Sequence, residues 1–116
     1  GLRQESTGSW GNLIAYCFHS VAGVSKVGSY QGGSGATVNT GFRPSWVMVK
    51  KTDNSVGGDW VIYDNVRGED EYLLANTNGQ EASYDNLDFT ATGFNLKANN
   101  ASLNRNGAIY IYYAIA

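Results

Sequence analysis

Apolar residues recur along this chain in short runs with a period of two, separated by clusters of Gly, Asn, Asp and Ser. Alternation of this kind sends successive side chains to opposite faces of a strand, so each run predicts a strand and each cluster a turn. The strongest run is the last, 106–116. One of its faces carries Ile109, Ile111, Tyr113 and Ile115, and the other Ala108, Tyr110, Tyr112 and Ala114. Both faces are apolar or amphipathic, which predicts a strand covered on both sides.

The same reading predicts strands over Asn12–Phe18, Ser25–Tyr30, Thr37–Thr40, Trp46–Lys51, Trp60–Asp64, Glu71–Ala75, Leu87–Thr90 and Phe94–Lys97. Gly28 interrupts the second of these, where a bulge or a close backbone approach is expected. Pro44 and Ser45 introduce Trp46–Lys51, and the turn-forming run 53–59 joins it to Trp60–Asp64 as a hairpin. The stretch Asn76–Asp85 is polar and is expected to be the longest loop, with a further loop over 99–106. Helical periodicity is sustained in no long window, and no repeat has a solenoid period. About nine short strands at this spacing predict an all-β fold, an antiparallel β-sandwich of jelly-roll-like form. With 116 residues the chain fits one domain over 12–116, preceded by a polar arm or linker over 1–11.

Composition narrows the function classes. Fifteen Gly against a single Pro fit many tight turns. A net charge of −2 gives no basic surface for phosphates, so nucleic acid is not expected as a partner. The near-uncharged stretch 27–42 is too rich in Gly, Ser and Thr to span a bilayer, and no membrane insertion is expected. Residues 1–12 are polar and do not form a signal peptide, which points to synthesis in a cytoplasm. The single Cys17 excludes an internal disulfide and, inside the apolar run 13–18, is expected to be buried.

Candidate chemistry is sparse. Cys17 and His19 would share a strand face, but no signature of a thiol enzyme surrounds them. Zinc wants about four ligands, and this pair supplies two. Asp64, Glu69, Asp70 and Glu71 cluster in one span, and Asp85 and Asp88 in another; paired carboxylates of this kind can hydrolyse glycosides. The plainer reading is a solvated turn at Glu69-Asp70-Glu71, with Arg67 balancing Asp64 or the acidic run nearby. The segment 64–69 does not match a calcium loop, 32–35 is no phosphate loop, and no Gly-x-Ser-x-Gly element accompanies His19. Asn100-Ala101-Ser102 matches the glycosylation sequon. No cofactor is implied. The aromatics remain: Trp46 and Trp60 start apolar strands and are expected in the core, whereas Trp10, Tyr30 and Tyr84 lie in polar surroundings. Exposed rings stack on sugars while polar neighbours bond the hydroxyls, so Trp10, Tyr30, Asn54, Asp59, Asn78, Tyr84 and Asp85 form the candidate ligand-binding set. The loops at 32–36, 54–59 and 76–85 would present the contact surface.

Several stretches also carry a resemblance. Ala15-Tyr16-Cys17-Phe18-His19 through Tyr30, Thr40-Gly41-Phe42-Arg43-Pro44-Ser45-Trp46-Val47-Met48-Val49-Lys50, Trp60-Val61-Ile62-Tyr63-Asp64-Asn65-Val66-Arg67, Tyr72-Leu73-Leu74-Ala75-Asn76, Gly93-Phe94-Asn95-Leu96 and Tyr110-Ile111-Tyr112 follow one another in order. From Trp10 onward this order resembles an uncharacterised C-terminal domain of tailed-bacteriophage virion proteins, tail fibres of marine phages above all. The resemblance implies a virion-surface module and homo-oligomers such as trimers, and it transfers no catalytic residue.

The expected function is therefore a non-enzymatic structural or adhesion module that touches host glycans, neighbouring virion proteins or its own copies. Two alternatives accompany it. One is a self-assembling extracellular fibre subunit that uses the arm Gly1–Ser9. The other is a polysaccharide-degrading enzyme using Asp64 or Glu71 with Asp85 or Asp88.

Overall fold

The computed structural model describes residues 11–53, 58–97 and 100–116. Its strands are β1 (Ser25–Gln31), β2 (Thr37–Asn39), β3 (Trp46–Lys51), β4 (Trp60–Asp64), β5 (Glu71–Leu74), β6 (Ala82–Ser83), β7 (Leu87–Thr90), β8 (Gly93–Leu96) and β9 (Ile109–Ile115). They form two antiparallel sheets, one of six strands in the order β1-β9-β3-β4-β5-β6 and one of three in the order β2-β8-β7. The predicted all-β sandwich is the fold. The last strand lies between β1 and β3, pairing along its whole length with β1 and through Tyr110–Ile115 with β3.

The core fills the space between the sheets. Val47, Val49, Val61, Tyr63, Tyr110, Tyr112 and Ala114 come from the larger sheet, and Val38, Leu87, Phe89, Phe94 and Leu96 from the smaller. Leu103 closes one end from a loop. Fully burying a side chain such as Phe94 or Leu87 stabilises the fold by about 1.5–3 kcal/mol. At the centre Tyr30 stacks on Tyr110 with ring centroids 5.1 Å apart, and Phe94 meets Tyr112 edge-on at 5.5 Å.

The buried tyrosines also hold loops through their hydroxyls. Tyr30 donates to the Leu103 carbonyl at 2.6 Å. Tyr110 donates to the Ala101 carbonyl and accepts from the Arg105 amide, both at 2.9 Å. Tyr63 donates to the Tyr84 carbonyl at 3.1 Å and accepts from the Asn86 amide at 3.3 Å. Each ring thus supplies apolar area to the core while its tip satisfies backbone groups that no ladder reaches. Burial, partly offset by the Asn86 bond, pushes the Tyr63 phenol up to about 12.

Two glycines mark close approaches. Gly28 pairs with Tyr112, and a Cβ there would lie 2.8 Å from the Tyr112 hydroxyl, so its strand tolerates the ring by lacking a side chain. At Gly93 a Cβ would fall 1.8 Å from the backbone carbonyl oxygen of Val38.

Several expectations need correction. Asn12–Phe18 is not a strand, and Cys17 is exposed, not buried. The reason lies just downstream. The chain turns back at Val21–Ser25 through Gly23 at φ 71°, and Val21 and Ser25 exchange backbone hydrogen bonds at 3.0 and 2.9 Å. The Ser20 hydroxyl accepts from the Val27 amide at 3.1 Å. The β1 edge at Ser25 and Val27 is thereby occupied, and the apolar segment 12–18 has no ladder to join. The stretch Asn76–Asp85 is not wholly loop, since Ala82–Ser83 pairs with β5. The last strand is covered on one face only: Tyr110 and Ala114 are fully buried, whereas Ile109 and Ile111 are each 44 % exposed. The arm 1–11 falls, apart from Gly11, outside the described residues.

The Gly93 contact gives a direct check on the sandwich. Gly93→Ala is expected to destabilise the domain by about 1–3 kcal/mol, because backbone rather than a flexible side chain blocks the added methyl. Urea denaturation measures it, and an unchanged midpoint would refute the packing described for β2 against β8.

Candidate functional site

The two sheets differ in what they show to solvent. On the three-stranded sheet the outward positions are Thr37, Asn39, Asp88, Thr90 and Asn95, all polar. On the six-stranded sheet they are mostly apolar. The register places Val27, Tyr113, Met48, Ile62 and Leu73 side by side across β1, β9, β3, β4 and β5, one row on the face away from the core. The adjoining row carries Ser29, Ile111, Lys50 and Trp60. A half-solvated antiparallel sheet ordinarily alternates apolar-in with polar-out. Here β9 and β3 put Ile109, Ile111, Tyr113, Trp46 and Met48 on the outside.

The segment 12–18 runs over this face as a strap. Phe18 stacks on Tyr113 with ring centroids 4.4 Å apart, and Trp46 meets Tyr113 edge-on at 5.9 Å. Between strap and sheet lies a groove of about 600 Å³, lined by Tyr16 and Phe18 on one side and by Val27, Met48, Trp60 and Ile111 on the other. Leu13, Ile14 and Tyr16 are 75 %, 82 % and 81 % exposed. Among the described residues no backbone hydrogen bond engages 12–18. The nearest charged group on the face, Lys50, turns its ammonium to the Lys51 carbonyl at 2.9 Å.

The residues singled out from the sequence are not brought together. Trp10 and Asn54 lie outside the described residues. Tyr30 is not exposed but packed against the core, where burial, reinforced by the neighbouring Tyr110, drives its phenol far above the ordinary range. Asp59 accepts from the Asn76 side-chain amide at 3.0 Å at the start of β4. Asn78 is exposed in the loop after β5. Tyr84 is exposed beside Asp85, whose carboxylate pairs with Lys97 at 2.5 Å. None of the described ones lines the groove. Trp46 and Trp60, expected in the core, stand on the outer face instead, Trp60 being 37 % exposed.

The carboxylates have structural partners. Asp64 accepts from the Val66 and Arg67 amides at 3.0 and 2.9 Å and pairs with the Arg67 guanidinium at 2.6 Å. Arg67 in turn reaches Glu81 at 2.7 Å, and Arg43 pairs with Glu69 at 2.9 Å. Burial opposes the charged form of Asp64, yet the hydrogen bonds from Arg67 and Val66 outweigh it and hold the carboxyl below its ordinary value of 3.8. Lys97 bridges Asp85 and Asp88, and its hydrogen bond lowers the Asp85 carboxyl. Cys17 and His19 border a shallow depression with Val21 and Tyr113. Among the described residues no cluster of three metal-ligating side chains occurs.

The outer face was half legible. Alternation on β9 and β3 identifies which residues share a face, but coverage of that face depends on where 12–18 goes, and no local pattern states that.

Residues 2–116 match a family described as a domain of unknown function, DUF7483, and the chain belongs to that family. No curated protein and no solved structure matches it.

Asp64 gives a pH prediction. Its folded pKa is depressed, so its contribution is present above the unfolded value and is lost as pH falls through the folded one. Asp64→Ala is expected to destabilise the domain by about 0.5–1 kcal/mol near neutral pH by removing the acceptor of two exposed amides and one of the two carboxylates that Arg67 holds. That difference should shrink towards zero in strong acid. Denaturant titrations at neutral and acid pH measure it, and a penalty that persists unchanged in acid would contradict the charged-cap role.

Proposed function

We propose that this DUF7483 domain is a non-enzymatic structural module that works by contact, with the outer face of its six-stranded sheet as the contact surface. The observation that carries the proposal is the contrast between the sheets: one polar outside, the other set with Trp46, Trp60, Met48, Ile111 and Tyr113. A contiguous apolar surface of this extent marks an interaction site. The acidic residues considered for glycoside hydrolysis support the non-enzymatic reading, since Asp64, Asp85 and Asp88 are each paired with a cation.

A neighbouring protein suits this surface better than a host glycan. The groove offers rings and aliphatic chains, and only tyrosine hydroxyls and an indole to bond sugar hydroxyls. The resemblance to virion-surface domains supplies the setting: a tailed-phage particle on which the module packs against adjoining subunits.

Antibodies raised against the domain are expected to decorate phage particles that carry it in immunogold microscopy. Signal confined to unassembled protein would contradict the virion role. Incubation with bacterial polysaccharides is expected to release no reducing sugar, and release that Asp64→Asn abolishes would overturn the non-enzymatic reading.

A further inference from the structure

We infer that the occupant of the apolar face is a second copy of this chain, with each copy laying its 12–18 strap over the Ile109, Ile111 and Trp60 positions of the other. The inference deepens the contact role proposed above and rests on it.

Three observations lead to this pairing. First, both halves of a complementary contact are on the same chain: an open apolar sheet face, and an extended apolar segment whose backbone groups are unpaired among the described residues. Leu13 and Ile14 are 75 % and 82 % exposed, so they add nothing to their own core. Contacts in which strap meets face and face meets strap are self-complementary, which is the condition for a closed two-fold dimer. Second, the area is of the right size. Taking about 150–250 Å² for each large side chain, the open parts of the strap, Trp60, Ile109 and Ile111 come to roughly 600–1,000 Å² per copy at complete burial, a range that spans the about 800 Å² per partner of a standard stable interface. Third, the edge route is restricted. Ser20 and Val21 occupy the β1 edge at Val27 and Ser25, so a second copy does not simply extend the sheet there. Packing face to face, as two sheets do about 10 Å apart, remains open.

The charges on this face lie outside its apolar centre: Asp64 beside Trp46 is paired with Arg67, and Glu71 lies towards the β6 edge. Lys50 is tied to its own chain, and the row Val27, Tyr113, Met48, Ile62, Leu73 carries no charge to match an acidic or basic partner.

Analytical ultracentrifugation over a micromolar dilution series, with tryptophan emission read in parallel, tests the proposal. A reversible dimer is expected, with emission moving to shorter wavelength as it forms, because Trp60 loses its solvent. Ile111→Lys should weaken dimerisation by about tenfold or more. Ile14→Ser alters only an exposed strap position outside the groove, so it serves if the lysine variant fails to fold, and it should weaken the dimer likewise. A chain that stays monomeric throughout, a trimer, or a dimer indifferent to both substitutions would overturn the inference. A monomer that still decorates phage particles would leave the structural role standing and remove only the self-contact.

Discussion

The pairing of β9 between β1 and β3 is the constraint on which the rest of this molecule depends. Once Ile109–Ile115 is held on both sides, its period of two leaves no freedom: Tyr110, Tyr112 and Ala114 face the smaller sheet, while Ile109, Ile111, Tyr113 and Ile115 face away. The two ends of the strand are secured as well, the Thr52 amide donating to the Ile109 carbonyl at 3.0 Å at one end and the Ser45 amide to the Ile115 carbonyl at 2.8 Å at the other. A slip of one residue would exchange the core tyrosines for isoleucines and strand the loop carbonyls that the tyrosine hydroxyls now satisfy.

That dependence explains why a loop-rich chain with short strands keeps a defined core. The segment 100–107 carries no strand, yet Tyr30 and Tyr110 bind it at Leu103, Ala101 and Arg105. Gly28 leaves room for Tyr112, and Phe94 packs edge-on against it. The inner face is thus fully engaged within the domain, which leaves only outward surfaces for contact with other molecules.

Much of this was legible in the sequence. Trp46–Lys51, Trp60–Asp64 and Leu87–Thr90 are strands with the predicted bounds, because period-two alternation and flanking turn residues agree there. The pairing of Asp64 with Arg67 also followed from spacing and charge. The run Leu13–Phe18 misled, since a buried strand and an exposed strap have the same apolar composition, and the difference is a partner that Val21–Ser25 excludes. Ala82–Ser83 is too short and polar to give a signal. Trp46 and Trp60 begin apolar strands and so point to the core by pattern alone, but the register sets Trp46 beside Ile115 and Trp60 beside Lys50 on the outer face. The proposed sugar-binding set dispersed for a similar reason: polar neighbours in sequence did not stop Tyr30 from packing into the core.

The proposed self-contact sets two copies of this domain against each other through the outer face of the six-stranded sheet. Residue-resolved NMR across a dilution series tests it most directly. Concentration-dependent shifts are expected, confined to 12–18 and to the outward positions of β9, β3 and β4, with Ile111, Met48 and the Trp60 indole foremost. Shifts confined to the polar face of β2, β7 and β8, or no concentration dependence at all, would contradict it.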